Sequence, residues 1–194
     1  MTQDLCQYSN EADWKRELAA FLSGARRVSV LGVGNEIRGD DGAGTRVARL
    51  LGRLGTSASG VPCLYVPGGS APENYAGLIV KFSPTHAIIV DAFDSGKAPG
   101  TISPVSDVYV QGVSLSSHRF PLGMLKDFFH REGIENCFIL GIQPLSIELG
   151  ERMSLPVKKA CREVARTISD LLQKTSAEGQ HPGFGRKSSA FGRH

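Results

Sequence analysis

The chain has 194 residues, the size of one ordinary domain, and its 41% hydrophobic and 21% charged content is that of a soluble globular protein. No apolar run approaches the ~18–20 residues of a membrane span, which excludes a spanning helix. Of the net charge of +3, two units fall in the glycine- and serine-rich stretch Thr175–His194, so the body lacks the basic stripe of a nucleic-acid binder. Glycine is over-represented, at 23 residues, and many of these glycines sit beside strand-like runs, where functional turns are expected. Cys6, Cys63, Cys137 and Cys161 show no CxxC spacing, and the first residues lack a basic region followed by an apolar stretch. Reduced packing cysteines in a cytoplasmic protein without a signal peptide are therefore expected.

In chain order, Asn10 can cap a helix whose Trp14, Leu18, Phe21 and Leu22 form one apolar stripe, with Gly24 past its end. The run VSVLGVG from Val28 reads as a buried strand closing on glycines, followed by a helix with Val47, Leu50, Leu51 and Leu54 on one face. The pattern recurs. Residues 63–66 form a strand; Ser70 and Pro72 start a helix with Tyr75, Leu78, Ile79 and Phe82 inward; and a third strand begins at Ala87. The stretch from Gly100 is a short strand whose Pro104 suits a sheet edge. A helix carrying Leu122, Leu125, Phe128 and Phe129, a strand from Cys137, a long loop from Gln143 and a last helix opened by Ser154 and Pro156 complete the series. This last helix has the stripe Val157, Cys161, Val164, Ile168 and Leu171 or Leu172. Such alternation predicts an α/β fold, a three-layer αβα sandwich around a mostly parallel, mixed sheet of about five strands. The organisation expected is an N-terminal extension over residues 1–24, one α/β domain over 25–174, and a disordered basic tail over 175–194.

Ligands of open α/β sheets gather at the carboxyl ends of the strands. Polar residues predicted there are Asp40 and Asp41 after the first strand, Asp91 and Asp94 after the third, and His118 ahead of the Leu122 helix. Two carboxylates and an imidazole, as Asp41, Asp91 and His118 would supply, suit a divalent metal such as nickel, zinc or manganese. Each residue also has a plainer reading. A helix cap or dipole partner would account for one of Asp40 and Asp41 but less easily for both. Asp91 can be a turn former, although a carboxylate ending a buried IIV run is costly unless paired or liganded. His118, flanked by serines, can be a surface or capping residue. The glycines after the first strand do not keep the GxGxxG spacing, and no acidic residue ends the second strand, which argues against a dinucleotide site. There is no GKS/T phosphate loop, GxSxG elbow or HExxH helix.

Five blocks in register, GVGNEIRGDDGAG at 32–44, GGSAPEN at 68–74, IIVDAFDSG at 88–96, SSHRFPL at 116–122 and GIQP at 141–144, resemble the nickel-iron hydrogenase maturation endopeptidases, most of all the hydrogenase-3 (formate hydrogenlyase) type. The resemblance covers about Val28 to Leu172. It implies a cytoplasmic aspartyl-type peptidase that removes the carboxy-terminal extension of a nickel-iron hydrogenase large-subunit precursor after nickel insertion. It further implies that Asp41, Asp91 and His118 contact a nickel supplied by the substrate rather than permanently bound, with Asp41 and Asp91 as the catalytic pair. Gly34, Asn35, Gly42, Gly68 and Gly69 would leave room and backbone donors for the substrate tail, or else form tight turns. One departure is Pro67, where family members often carry an Asp before the Gly-Gly pair. Two further readings are a non-catalytic nickel-checkpoint or maturation scaffold that binds the precursor, and a small-molecule metallohydrolase on the same fold. No nucleic-acid partner and no membrane insertion are expected.

Overall fold

The computed structural model describes residues 13–55, 60–106 and 122–178. Five strands, β1 (Val28–Val33), β2 (Cys63–Gly69), β3 (His86–Ala92), β4 (Ile102–Pro104) and β5 (Asn136–Ile142), form one sheet in the order β2-β1-β3-β5-β4. The first four positions pair in parallel, and β4 alone runs antiparallel, at the edge, as its Pro104 requires. The described residues form five α-helices, α1 (Asp13–Phe21), α2 (Ala43–Leu54), α3 (Ala76–Phe82), α4 (Leu122–Arg131) and α5 (Leu155–Glu178). No helix among the described residues is long and apolar enough to cross a membrane.

Both faces of the sheet are covered, because β1 and β3 are apolar at every position but Ser29, Gly32, His86 and Asp91 and can bury side chains in both directions. On one face Val28, Val30, Ile88, Val90, Leu140 and Ile142 meet Trp14 and Leu18 of α1, Val47 and Leu51 of α2, and Val157, Cys161, Val164, Ile168 and Leu172 of α5. The first helix is thus continuous with the main core. On the other face Leu31, Val33, Ala87, Ile89 and Ile139 meet Ala76 and Ile79 of α3 and Leu125 and Phe129 of α4. Cys161 is buried as a thiol directed at the Ala43 carbonyl, 3.5 Å away, and burial pushes its pKa up to about 12, so it packs rather than reacts.

Three local expectations are corrected. Strand β2 continues through Pro67 to Gly69. The α3 stripe shifts to Ala76 and Ile79, with Tyr75 and Leu78 exposed, because Pro72–Tyr75 winds as a 3-10 turn at three residues per turn before α3 begins. Helix α5 runs on to Glu178, beyond Lys174. Asn10 and Cys6 lie outside the described residues.

Candidate active site

Strand β1 delivers the chain to the carboxyl edge of the sheet, where it folds back through a tight turn into the 3-10 helix Gly39–Gly42 and then α2. Gly34, at φ +124°, makes the reversal possible, since a side chain there would lie 1.8 Å from the Asp41 carbonyl oxygen. Its N–H donates to the Gly69 carbonyl at 2.9 Å, tying the ends of β1 and β2 together. Asn35 closes the turn with its side chain, Oδ1 accepting from the Ile37 N–H at 3.1 Å. Its own N–H donates to Asp41 Oδ2 at 2.8 Å. The hydroxyl of Thr45, in the first turn of α2, donates to the Gly34 carbonyl at 2.8 Å.

What brings this turn to Asp91 is the absence of a side chain at Gly44. A methyl there would stand 1.9 Å from the Val90 carbonyl oxygen and 2.5 Å from that of Val33, so the first turn of α2 rests directly on the ends of β1 and β3. Asp91 follows Val90 in β3, opposite Gly141 of β5, and its Oδ1 accepts from the Ala92 N–H at 2.8 Å. By strand alternation it shares a face with Ala87 and Ile89. Asp41 and Asp91 are 2% and 1% exposed, and the 3-10 helix that carries Asp41 packs against β3. The structure therefore brings two of the three predicted rim residues onto touching elements, each with one carboxylate oxygen fixed by a main-chain N–H. Two buried carboxylates held this way can orient a water molecule, exchange a proton with it, or ligand a cation.

The remaining residues divide by what they touch. His118 lies outside the described residues, and among the described residues no three acidic, His or Cys side chains cluster closely enough to hold a metal. Both Asp40 and Asp41 stand in the first turn of the 3-10 helix, but the N-caps of that helix and of α2 are Arg38 and Gly42. The Asp40 carboxylate instead accepts from Leu145 N–H at 2.8 Å and from Ser154 N–H and hydroxyl at 2.6 and 2.9 Å. Asp94 is a turn former: Oδ1 accepts from Gly96 N–H at 3.0 Å and Gln143 Nε2–H at 3.1 Å, and these two bonds, the Gln143 one first, lower its pKa. The room left by Gly34, Gly42 and Gly68 is occupied by the chain itself, respectively Asp41, Glu36 and the Leu31 side chain, whereas nothing lies within 4 Å of the position a side chain would take on Gly69.

Sequence reasoning missed Gln143, whose buried Oε1 accepts from Ser95 N–H, Ser95 hydroxyl and Lys97 N–H at 2.7, 2.9 and 3.2 Å, stitching the loop after β3 to the end of β5. Its signal was an uncharged polar residue directly after a buried apolar strand. Ser154 was read only as a helix start, while its hydroxyl serves Asp40.

Comparison with known proteins shows the family. A family model described as hydrogenase maturation protease matches residues 48–171. The hydrogenase 3 maturation protease of Escherichia coli is 37% identical over 140 residues, covering 72% of this chain and 86% of that protein. The crystal structure of a NiFe hydrogenase maturation protease, HycI, from Thermococcus kodakarensis superposes with a TM-score of 0.73 at 29% identity, covering 81% of this chain and 99% of that one. The solution structure of the endopeptidase HycI from Escherichia coli matches with a TM-score of 0.62 at 31% identity, covering 84% and 97%.

Proposed function

Because the chain belongs to the hydrogenase maturation protease family, and so is a hydrolase of peptide bonds, we propose that it removes the carboxy-terminal extension of a nickel-iron hydrogenase large-subunit precursor, in the cytoplasm, once nickel is in place. The observation that supports the reading is that Asp41 and Asp91 are both buried on elements that touch, the 3-10 helix and β3. Asp41 sits in the 3-10 helix after β1 and Asp91 near the end of β3, and the Gly44 contact seats the first turn of α2, next to Asp41, on the ends of both strands. In this reading one of the pair takes a proton from water as its oxygen attacks the scissile carbonyl carbon, and the proton then passes to the departing amine.

The nickel is part of the substrate. Two carboxylates and the imidazole of His118 make a borderline ligand set suited to it, so a loaded precursor is recognised by the metal it brings. His118 is four residues upstream of Leu122, where α4 begins, and α4 leads back to the start of β5; its own start thus faces the edge where Asp91 lies. Open space beside Gly69, on the strand end bonded to Gly34, gives the substrate tail a path past the pair.

The test is incubation of the purified protein with nickel-loaded and nickel-free precursor, reading carboxy-terminal mass loss. Loss from the loaded precursor alone is expected. Equal loss from both would remove nickel from the recognition step, and a stable complex with no loss from either would make the protein a scaffold rather than a peptidase.

A further inference from the structure

Asp40 is adjacent to Asp41 in sequence yet faces a different part of the molecule. Its carboxylate, 1% exposed, accepts from Leu145 N–H at 2.8 Å, Ser154 N–H at 2.6 Å, Ser154 hydroxyl at 2.9 Å and Ser146 N–H at 3.5 Å. Its own N–H donates to the Ser146 carbonyl at 3.0 Å. Two further main-chain bonds join the same pieces: Gly39 N–H to Glu151 O at 3.2 Å and Gly150 N–H to Ile37 O at 2.8 Å. The loop between β5 and α5 is thus fastened at both ends and in its middle to the turn that carries Asp41.

Of the loop's apolar side chains Met153 packs against the main core, near the loop's end, but the larger part of the loop has no such anchor. Leu145 and Leu149, with Leu155 just beyond it, are 63%, 66% and 71% exposed, so hydrophobic burial contributes little to ordering them. The Asp40 carboxylate, with the main-chain bonds beside it, supplies the polar part of the ordering. Every one of its partners is a donor, a set that a carboxylate can accept in full and that an amide, carrying its own N–H groups, cannot. Bonds to a charged acceptor are also shorter and stronger than neutral ones, which suits a joint that must not slip. The same residue is flanked by Gly39, at φ +55°, and Asp41, so any slip of the joint is transmitted along one peptide unit to the Asp41 carboxylate.

We infer that Asp40 is a positioning residue for cleavage: by locking the β5–α5 loop to the 3-10 helix it fixes the Asp41 carboxylate against Asp91 in its working geometry. The inference rests on the reading that Asp41 belongs to the reacting centre.

The test measures cleavage of loaded precursor over a range of precursor concentrations, normalised to folded protein and well below the melting temperature. Asp40→Asn, which presents N–H groups to N–H donors, is expected to lower kcat by about 100-fold, the scale of a 1 Å misplacement, with KM within about threefold of wild type. Ser154→Ala removes one of the donors and leaves the N–H bonds; it is expected to lower kcat by roughly tenfold. A role confined to stability would lower the melting temperature and leave kcat and KM per folded molecule unchanged, and that result in both variants overturns the inference. If Asp40→Asn does not fold, the Ser154→Ala value decides alone. Asp41→Asn, assayed beside them, separates the two ideas. Full activity there refutes the site reading and this inference with it, whereas loss there with full activity in the other two refutes this inference only.

Discussion

Helix α2 contains a matched pair of glycines that tests how the site is held together. At Gly44 a methyl would meet the Val90 carbonyl oxygen at 1.9 Å and the Val33 nitrogen at 2.7 Å; at Gly52, two turns on and solvent-exposed, it would meet nothing within 4 Å. Alanine is favoured over glycine inside a helix by ~1 kcal/mol, and at Gly52 that gain stands unopposed. Gly52→Ala should therefore raise the melting temperature by about 2–4 °C, the shift per kcal/mol for a protein of this size. At Gly44 the obstructing atoms are backbone and cannot rotate aside, so helix and sheet must separate by about 1.5 Å to restore an ordinary contact. Overpacking of this kind costs ~3 kcal/mol or more, which leaves a net loss of ~2 kcal/mol after the helix gain, or a fall of about 4–8 °C. The same displacement carries Asp41 away from β3, and a shift of ~1 Å at a reacting group is worth about 100-fold in rate. Thermal unfolding by circular dichroism and precursor cleavage per folded molecule read the two effects. A Gly44→Ala protein that melts at or above the wild-type temperature and cleaves normally would refute the close approach as the organiser of the site.

Asp41→Asn and Asp91→Asn keep shape and remove charge; each should cut processing to below about 1% while the circular dichroism spectrum is retained, and normal cleavage by either removes that residue from the reaction. Gln143→Ala leaves the Ser95 and Lys97 N–H groups without their acceptor and should cost about 1–3 kcal/mol in denaturant unfolding. It should also return Asp94 towards the ordinary aspartate range. A depressed carboxylate pKa gives stability that is present above the unfolded value and lost as pH falls through the folded one, so the variant should lose part of the wild-type destabilisation below about pH 4. An unchanged Asp94 titration by NMR would exclude Gln143 as the cause. His86 has a lowered pKa, from burial first and Arg26 second, so the unfolded chain takes up the proton before the folded one. Its contribution is complete above about pH 6.5 and shrinks on acidification until the folded value is passed, so the slope of melting temperature between pH 7 and 5 should flatten in His86→Gln. An equal slope in the variant would assign that dependence to other groups.

The layers, the mostly parallel sheet and its edge strand follow from features visible in one dimension, whereas the order β2-β1-β3-β5-β4 does not. Continuous apolar runs such as VSVLGV and AIIV, short and rich in β-branched residues, suit strands buried on both faces, and Val157, Cys161, Val164, Ile168 and Leu172 repeat at helical spacing and are all buried in α5. Pro104 likewise announced the edge. Tyr75 and Leu78 misled because a 3-10 turn changes the residues per turn without changing composition. The partition of the acidic pair Asp40 and Asp41 was hidden for a different reason. Two neighbouring aspartates read alike in sequence, and what separates them is a loop more than a hundred residues later, whose N–H groups are invisible to any pattern of side chains. Gln143 was obscured in the same way, since its side chain bonds chiefly to a segment more than forty residues earlier, Asp94 to Lys97, two of those bonds coming from main-chain N–H groups.

The joint at Asp40 also sets the order in which this molecule can be made. Its carboxylate closes contacts across 105 and 114 residues, to Leu145 and Ser154, whereas Asn35 and Asp41 are separated by only 6. Contacts so distant along the chain form slowly and late, because the intervening polymer must first be brought to heel by β3, β5 and the docking of α5. A polypeptide still emerging from the ribosome can hold both Asp41 and Asp91 well before the frame that aligns them exists. On the inference that Asp40 positions Asp41, the site is completed only when the segment around Ser154 has docked.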